Sequence, residues 1–238
     1  MLISLIYPVI FVIVLWIVHV VAHALDAEIY RWGILPQDAA GLRGIFFSPF
    51  IHGSFSHLAS NSLPLLVLGS ALFYFYREVA FQVVAGSILI TGVWVWVIAR
   101  ESYHIGASGV VYSLAAFLFV SGILRRHPRL MALSLIVAFL YGGLVWGIFP
   151  IKDQVSWESH LMGLLAGVIL AVFYKNHGPQ RPLYSWELEE EEEEGQEDKE
   201  ETKDSNADTA NEMRLSPEGN ESSTTFRYVY KPRRSKSR

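Results

Sequence analysis

Residues 106–126 read GASGVVYSLAAFLFVSGILRR. The segment opens on small residues around one hydroxyl, Ser108, runs almost wholly apolar from Gly109 to Leu124, and stops at two arginines. Such a stretch offers water no polar face, and its length approaches the roughly 20 residues a helix needs to cross hydrocarbon. It reads as a membrane span with a polar entrance and a basic exit, and it sets the scale for the rest of the chain.

Working outward, five more stretches match it: Ile3 to Ala24, Leu58 to Tyr76, Ala80 to Ala99, Leu130 to Phe149 and Leu161 to Tyr174. The first lacks a basic leader and a small-x-small cleavage site, so it reads as a retained span. The chain has 238 residues, 52% of them apolar, and no cysteine. Its formal charge of −4 averages two unlike parts: residues 1–181 hold ten basic and seven acidic side chains, the remainder nine basic and sixteen acidic. Crowding of the apolar residues into the first part excludes a soluble enzyme with an ordinary core. Absence of thiols excludes a disulfide scaffold and any cysteine-based nucleophile or metal site. The expectation is an all-α polytopic membrane domain over residues 1–181, followed by a disordered cytoplasmic tail over residues 182–238. The tail is acidic at Glu189 to Glu194 and basic at its end, with too little apolar surface to offset chain entropy.

Orientation follows from the basic residues. Arg77, the group Arg125, Arg126 and Arg129, and then Lys175 with Arg181 fall on the side of the N-terminus. The opposite connections hold Arg31, Arg43, Arg100 and Lys152, each near an acid. Clusters of Arg and Lys stay inside, so both termini are expected in the cytoplasm. The first connection, Leu25 to Ser56, is rich in aromatics (Tyr30, Trp32, Phe46, Phe47 and Phe50) among Gly and Pro. It is expected to lie in the outer leaflet, packed on protein.

A polar side chain within lipid is costly unless it is paired or used. Four stand at span entrances on the outer side: His57 and Asn61 at the second, Ser108 at the fourth, and His160 at the sixth. Ser108 sits between Gly106 and Gly109 at a loop-to-helix junction, where unpaired helix amides favour a developing oxyanion. A small-residue helix contact accounts for the same pattern. His160 precedes Gly163 and Gly167, a spacing that lets another helix approach closely. If that helix is the fourth span, an imidazole base meets a hydroxyl nucleophile; a histidine bonded to a loop carbonyl is the alternative. His57 and Asn61 share a helix face and both donate hydrogen bonds, which suits an oxyanion site or a plain helix entry. His19 and His23 share a face without a third metal ligand in register. His104 and His52 read as structural, and Glu158, two residues before His160, points to another face and is not assigned as a triad acid.

Three motifs, in this order and on these spans, resemble the rhomboid intramembrane serine proteases. They are His52-x4-His57-x3-Asn61, Gly106-x-Ser108-Gly109 with Tyr112 one turn on, and His160 followed by Gly163 and Gly167. The resemblance implies a six-helix rhomboid-like bundle with an embedded first loop. It implies an endopeptidase that cuts transmembrane segments near the outer face, with Ser108 as nucleophile and His160 as base. His57, Asn61 and the Ser108 amide would form the oxyanion hole. Tyr112 would stack on His160, Gly106 would let the loop approach substrate, and His52 would brace the loop. The fifth span with Pro150 to Trp157 would act as a gate. No cofactor or metal is implied. The partners would be single-span or polytopic membrane proteins and the bilayer, without nucleic acid, in a bacterial inner membrane. Two features depart from the family pattern: Arg31-Trp32 stands in reversed order, and Trp157, Glu158 and Ser159 precede the histidine where small residues are frequent. A catalytically silent rhomboid-like binding module remains the alternative function, and a small transporter a weaker one, for which Pro64 is the only interrupted-span signal.

Overall fold

The computed structural model describes residues 2–151 and 155–180, with side chains from residue 4 onward. The expected tail lies outside the described residues. The described residues form seven α-helices: α1 (Leu2–Ala24), α2 (Gly44–Phe47), α3 (Phe55–Phe75), α4 (Ala80–Ile98), α5 (Ser108–Arg125), α6 (Pro128–Tyr141) and α7 (Trp157–Phe173). The described residues contain no strand beyond a single antiparallel bridge between Ile34 and His104.

Each expected span is a helix. Five are long and apolar enough to cross a membrane, and α7, at 17 residues, is the shorter sixth. The fifth differs in form: its α-helical part ends at Tyr141, and Gly142–Ile148 continues as a tighter 3-10 helix. Local chemistry sets the ends. Ser54 caps α3 by accepting the His57 amide at 3.1 Å. The turn between α5 and α6 combines Arg126 in the left-handed region (φ 50°), an extended His127 and Pro128 in the first turn of α6.

Burial identifies the central helix. Across its most apolar window α5 is 61% buried, against 28% for α1 and α4 and 11% for the Pro128–Ile148 span. The peripheral helices turn Ile6, Ile10, Ile13 and Ile17 of α1 and Leu135 and Phe139 of α6 outward, the surface that hydrocarbon covers. Leu58, Leu65, Leu68 and Leu72 of α3 meet Leu114, Phe117 and Leu118 of α5 in the core. Buried hydroxyls join helices as well: Ser87 and Ser113 lie 2.7 Å apart, and Ser134 of α6 donates to the Phe119 carbonyl at 2.8 Å.

The first connection is built of short 3-10 turns around α2, which packs on α4. Ile34 and Ile45 are buried while Phe46 and Phe47 are exposed, so the loop has an inner face on protein and an apolar outer face. Arg43 lies over the Trp32 ring at 4.6 Å and donates to the Arg31 carbonyl at 3.1 Å, which anchors the reversed Arg31-Trp32 pair.

One residue of the basic cluster is more than a charge at a helix exit. Arg125 is buried, donates to the carbonyls of Tyr174 (2.5 Å), Lys175 (3.2 Å) and His177, and lies over the Tyr76 ring at 4.6 Å. Tyr174 is the C-cap of α7, so the guanidinium adds a donor at that helix end and ties the carbonyls just beyond it to the end of α5.

Candidate active site

The helix pair that carries the site is α5 with α7. At Gly163 an added Cβ would meet the Gly109 backbone, and at Gly167 the Ser113 backbone, so the two glycines face α5. Gly109 in turn lies against the Ser159 carbonyl. These contacts, one residue from Ser108 on α5 and one to three residues from His160 on α7, bring the start of α5 beside the start of α7. The starts of α3, α5 and α7 then open on one cavity of about 1270 Å³, whose lining includes Ser108, His160, Tyr112, His57 and Asn61.

Ser108 is the first residue of α5, so its hydroxyl stands beside amides that have no helical acceptor. The turn before it depends on Gly106, at φ +111°, a conformation side chains avoid. A Cβ there would sit 2.7 Å from His57 Cε1, so the glycine also permits close approach of that ring. The turn is held from outside the helix as well. The Gly106 amide donates to the Ser48 carbonyl at 2.9 Å, and the Ala107 amide to His52 Nε2 at 3.4 Å. His52 also meets the His57 ring edge-to-face, 5.1 Å between centroids. Burial, reinforced by His57 and His19, pushes the His52 imidazole down to about 3, so it is neutral and Nε2 can accept.

His160 stacks on Tyr112, with centroids 4.2 Å apart and planes 9° from parallel. Its Nδ1 lies 2.8 Å from the Gly147 carbonyl. A carbonyl only accepts, so Nδ1 carries the proton and Nε2 keeps a lone pair. The Tyr112 hydroxyl donates to the Leu144 carbonyl at 2.7 Å, so both rings are tied to the 3-10 segment that ends the fifth span. The neighbouring residues 152–154 of the expected gate lie outside the described residues. Asn61 is buried with no partner for Nδ2, which leaves an unused donor on the cavity wall. Chemically, the cavity assembles a hydroxyl, an imidazole with a free lone pair and several donors, the needs of acyl transfer.

The other histidines play different parts. His19 and His23 pack their rings edge-on against Phe55. Glu158 turns away from His160 and pairs with Arg100 at 3.3 Å. The Gly147 carbonyl carried no signal in the sequence, because a backbone acceptor has no residue type. Arg100 and Ser156 were missed too, since each partner lies more than 50 positions away along the chain.

A family model described as "Rhomboid domain" matches residues 39–177, more than half of the chain. The chain belongs to the rhomboid family. Rhomboid proteins are in general intramembrane serine proteases, and this member is an integral membrane protein. An uncharacterized protein of Mycobacterium tuberculosis is 33% identical over 180 residues, covering 72% of this chain and 74% of its own. An uncharacterized protein of Mycobacterium leprae is 33% identical over 168 residues, 67% of this chain and 64% of its own. The Bacillus subtilis protein named "Putative rhomboid protease YdcA" is 28% identical over 129 residues, 51% of this chain and 61% of its own.

Proposed function

We propose that this rhomboid protein is an active intramembrane serine endopeptidase that cuts transmembrane segments of single-span or polytopic proteins near the outer membrane face. The observation that carries the reading is His160. It is stacked on Tyr112, protonated at Nδ1 toward Gly147, and has Nε2 free in the cavity that Ser108 also lines.

In the reaction, Ser108 Oγ attacks the scissile carbonyl carbon while His160 Nε2 takes the hydroxyl proton. The tetrahedral oxyanion receives hydrogen bonds from the Ser108 amide, His57 and Asn61. Throughout, Nδ1–H stays on the Gly147 carbonyl and holds the ring parallel to Tyr112. The imidazolium then protonates the leaving amine, the C–N bond breaks, and an acyl ester remains on Ser108. Water, deprotonated by His160, hydrolyses the ester and frees the carboxylate product. A substrate helix must unwind to present its carbonyl, so small, helix-breaking residues near the cut are favoured. The protein sits in a bacterial inner membrane with both termini in the cytoplasm, so the site faces outward and draws water from there.

The test is cleavage of a fluorogenic single-span substrate in proteoliposomes by wild type, Ser108→Ala and His160→Ala. Both variants lose turnover; full cleavage by either sinks the assignment. A fluorophosphonate labels wild type and not Ser108→Ala. Absence of labelling in wild type points to a silent binding module.

A further inference from the structure

Rhomboid catalysis by two residues leaves open what holds the starts of α5 and α7 at a fixed separation, and a set of polar side chains beside the cavity answers it. Arg100, just beyond α4, pairs through Nε with Glu158 Oε1 at 3.3 Å and donates through Nη2 to the Val155 carbonyl at 2.9 Å. Two points of one guanidinium therefore grip the first turn of α7 and the residue just ahead of its N-cap. His104, four residues before Ser108, is 2% exposed, and its Nε2 lies 3.0 Å from the Arg100 carbonyl. Nε2 thus donates and Nδ1 accepts. The Ser156 hydroxyl, four residues before His160, donates to Nδ1 at 2.5 Å and accepts from the Ser159 hydroxyl at 2.6 Å. One directed chain, Ser159 to Ser156 to His104 to Arg100, joins the approach to the nucleophile with the approach to the base. His104 also exchanges both backbone bonds with Ile34, which ties the chain to the embedded loop.

Two local rules are broken here, and both breaks favour positioning over ordinary helix stability. Ser156 occupies the N-cap of α7, where a serine normally accepts a helix amide, yet it makes no side-chain cap. Its hydroxyl is committed to His104 and Ser159. Glu158 would serve the helix dipole equally well if exposed. It is 5% exposed, and Oε2 has no partner, an expensive arrangement for a carboxylate. Departures of this sort concentrate where function needs them.

We propose that Arg100, His104, Ser156 and Glu158 are positioning residues that set the separation of Ser108 from His160. The proposal rests on the protease reading above, and the experiment separates the two. Wild type, Ser108→Ala, Glu158→Gln, Ser156→Ala and Ser156→Thr are compared in liposomes for kcat, KM, fluorophosphonate labelling rate and melting temperature. Glu158→Gln and Ser156→Ala lower kcat and labelling together by about 10- to 100-fold, with KM within about twofold, as expected for a reacting pair displaced by a fraction of an ångström. Ser156→Thr, which keeps the hydroxyl, restores most of the rate. If Glu158→Gln does not fold, the two Ser156 variants decide. Wild-type kcat and labelling in Ser156→Ala, or a loss shared equally by Ser156→Thr, overturns the clamp. Loss of all labelling in Ser108→Ala leaves the protease reading standing in that event. Cleavage by Ser108→Ala equal to wild type overturns both.

Discussion

Gly163→Ala tests whether the approach of α5 to α7 sets the catalytic geometry. A Cβ at this position would lie 2.9 Å from the Gly109 carbonyl carbon and 3.0 Å from its Cα, and would overlap the carbonyl oxygen. Carbon atoms settle at about 3.5–4.0 Å, and the obstacle is backbone, which has no rotamer to escape into. To clear the oxygen the helices must part by about 1 Å at this level. Ser108 adjoins Gly109 and His160 is one turn from Gly163, so nearly the whole displacement reaches the reacting atoms. Overpacking of this size costs about 1–3 kcal/mol of stability, and a shift near 1 Å costs about 100-fold in turnover. Gly143→Ala is the matched control, because a Cβ there meets nothing within 4 Å. The assay is cleavage of the fluorogenic substrate in liposomes beside thermal unfolding in detergent. Wild-type turnover in Gly163→Ala, or an equal loss in Gly143→Ala, refutes the reasoning.

Gly147→Ala places a Cβ on the Tyr112 hydroxyl and 3.1 Å from His160 Nδ1, so it displaces the stacked pair and lowers kcat by about 10-fold or more; unchanged kinetics would show that the 3-10 segment does not hold the base. Arg125→Gln strips several donors from the end of α7 and lowers unfolding stability by about 3 kcal/mol in a denaturant titration. The folded fraction keeps its labelling rate, since this residue lies at the far end of the helix. His52 and His104, both outside the spans, have pKa values lowered chiefly by burial; at His104 the Arg100 carbonyl and Glu158 oppose the shift, and the Arg100 charge adds to it. Unfolded rings take a proton near pH 6.5, while the folded His52 ring stays neutral until about 3. Stability from the neutral rings is therefore complete above pH 6.5 and is lost as pH falls, by about 2 kcal/mol for His52 at pH 5. Melting temperatures that do not change between pH 7.5 and 5 contradict this.

Much of the fold is legible in the sequence because lipid imposes strong rules. A run such as Gly109 to Leu124 has few ways to hide its backbone other than a helix, and the spacing of Gly163 and Gly167 names the face that packs. The nearness of Ser108, His160, His57 and Asn61 follows from the same patterns, since each marks a span entrance at one end of the bundle. What stayed hidden depends on partners distant in sequence or on backbone atoms. Arg125 reads as a topology signal, yet its guanidinium caps α7, a choice made by carbonyls some 50 residues away. Ser156 reads as a helix cap, which is the local preference, and its engagement with His104 is a tertiary override of that preference. The shift to 3-10 geometry after Tyr141 left no mark either, because Gly142 and Gly143 are compatible with several backbone forms.

In the proposed mechanism the Gly147 carbonyl stands where a triad would place its acid. In a soluble triad a carboxylate accepts the base's second N–H and steadies the imidazolium. A carboxylate beside His160 would have to be buried, and an unpaired buried anion is costly in a low-dielectric site. A backbone carbonyl fixes the same tautomer without a charge. It stabilises the imidazolium less, so more of the catalytic burden falls on geometry. That shift in burden accounts for two arrangements that otherwise look excessive: the near-parallel stacking of Tyr112 on His160, and the polar grip on the first turn of α7. Glu158, two residues before His160, faces away from the ring and pairs with Arg100 instead. Under the proposed clamp it acts on the base through the backbone that carries it, while the carbonyl touches the ring.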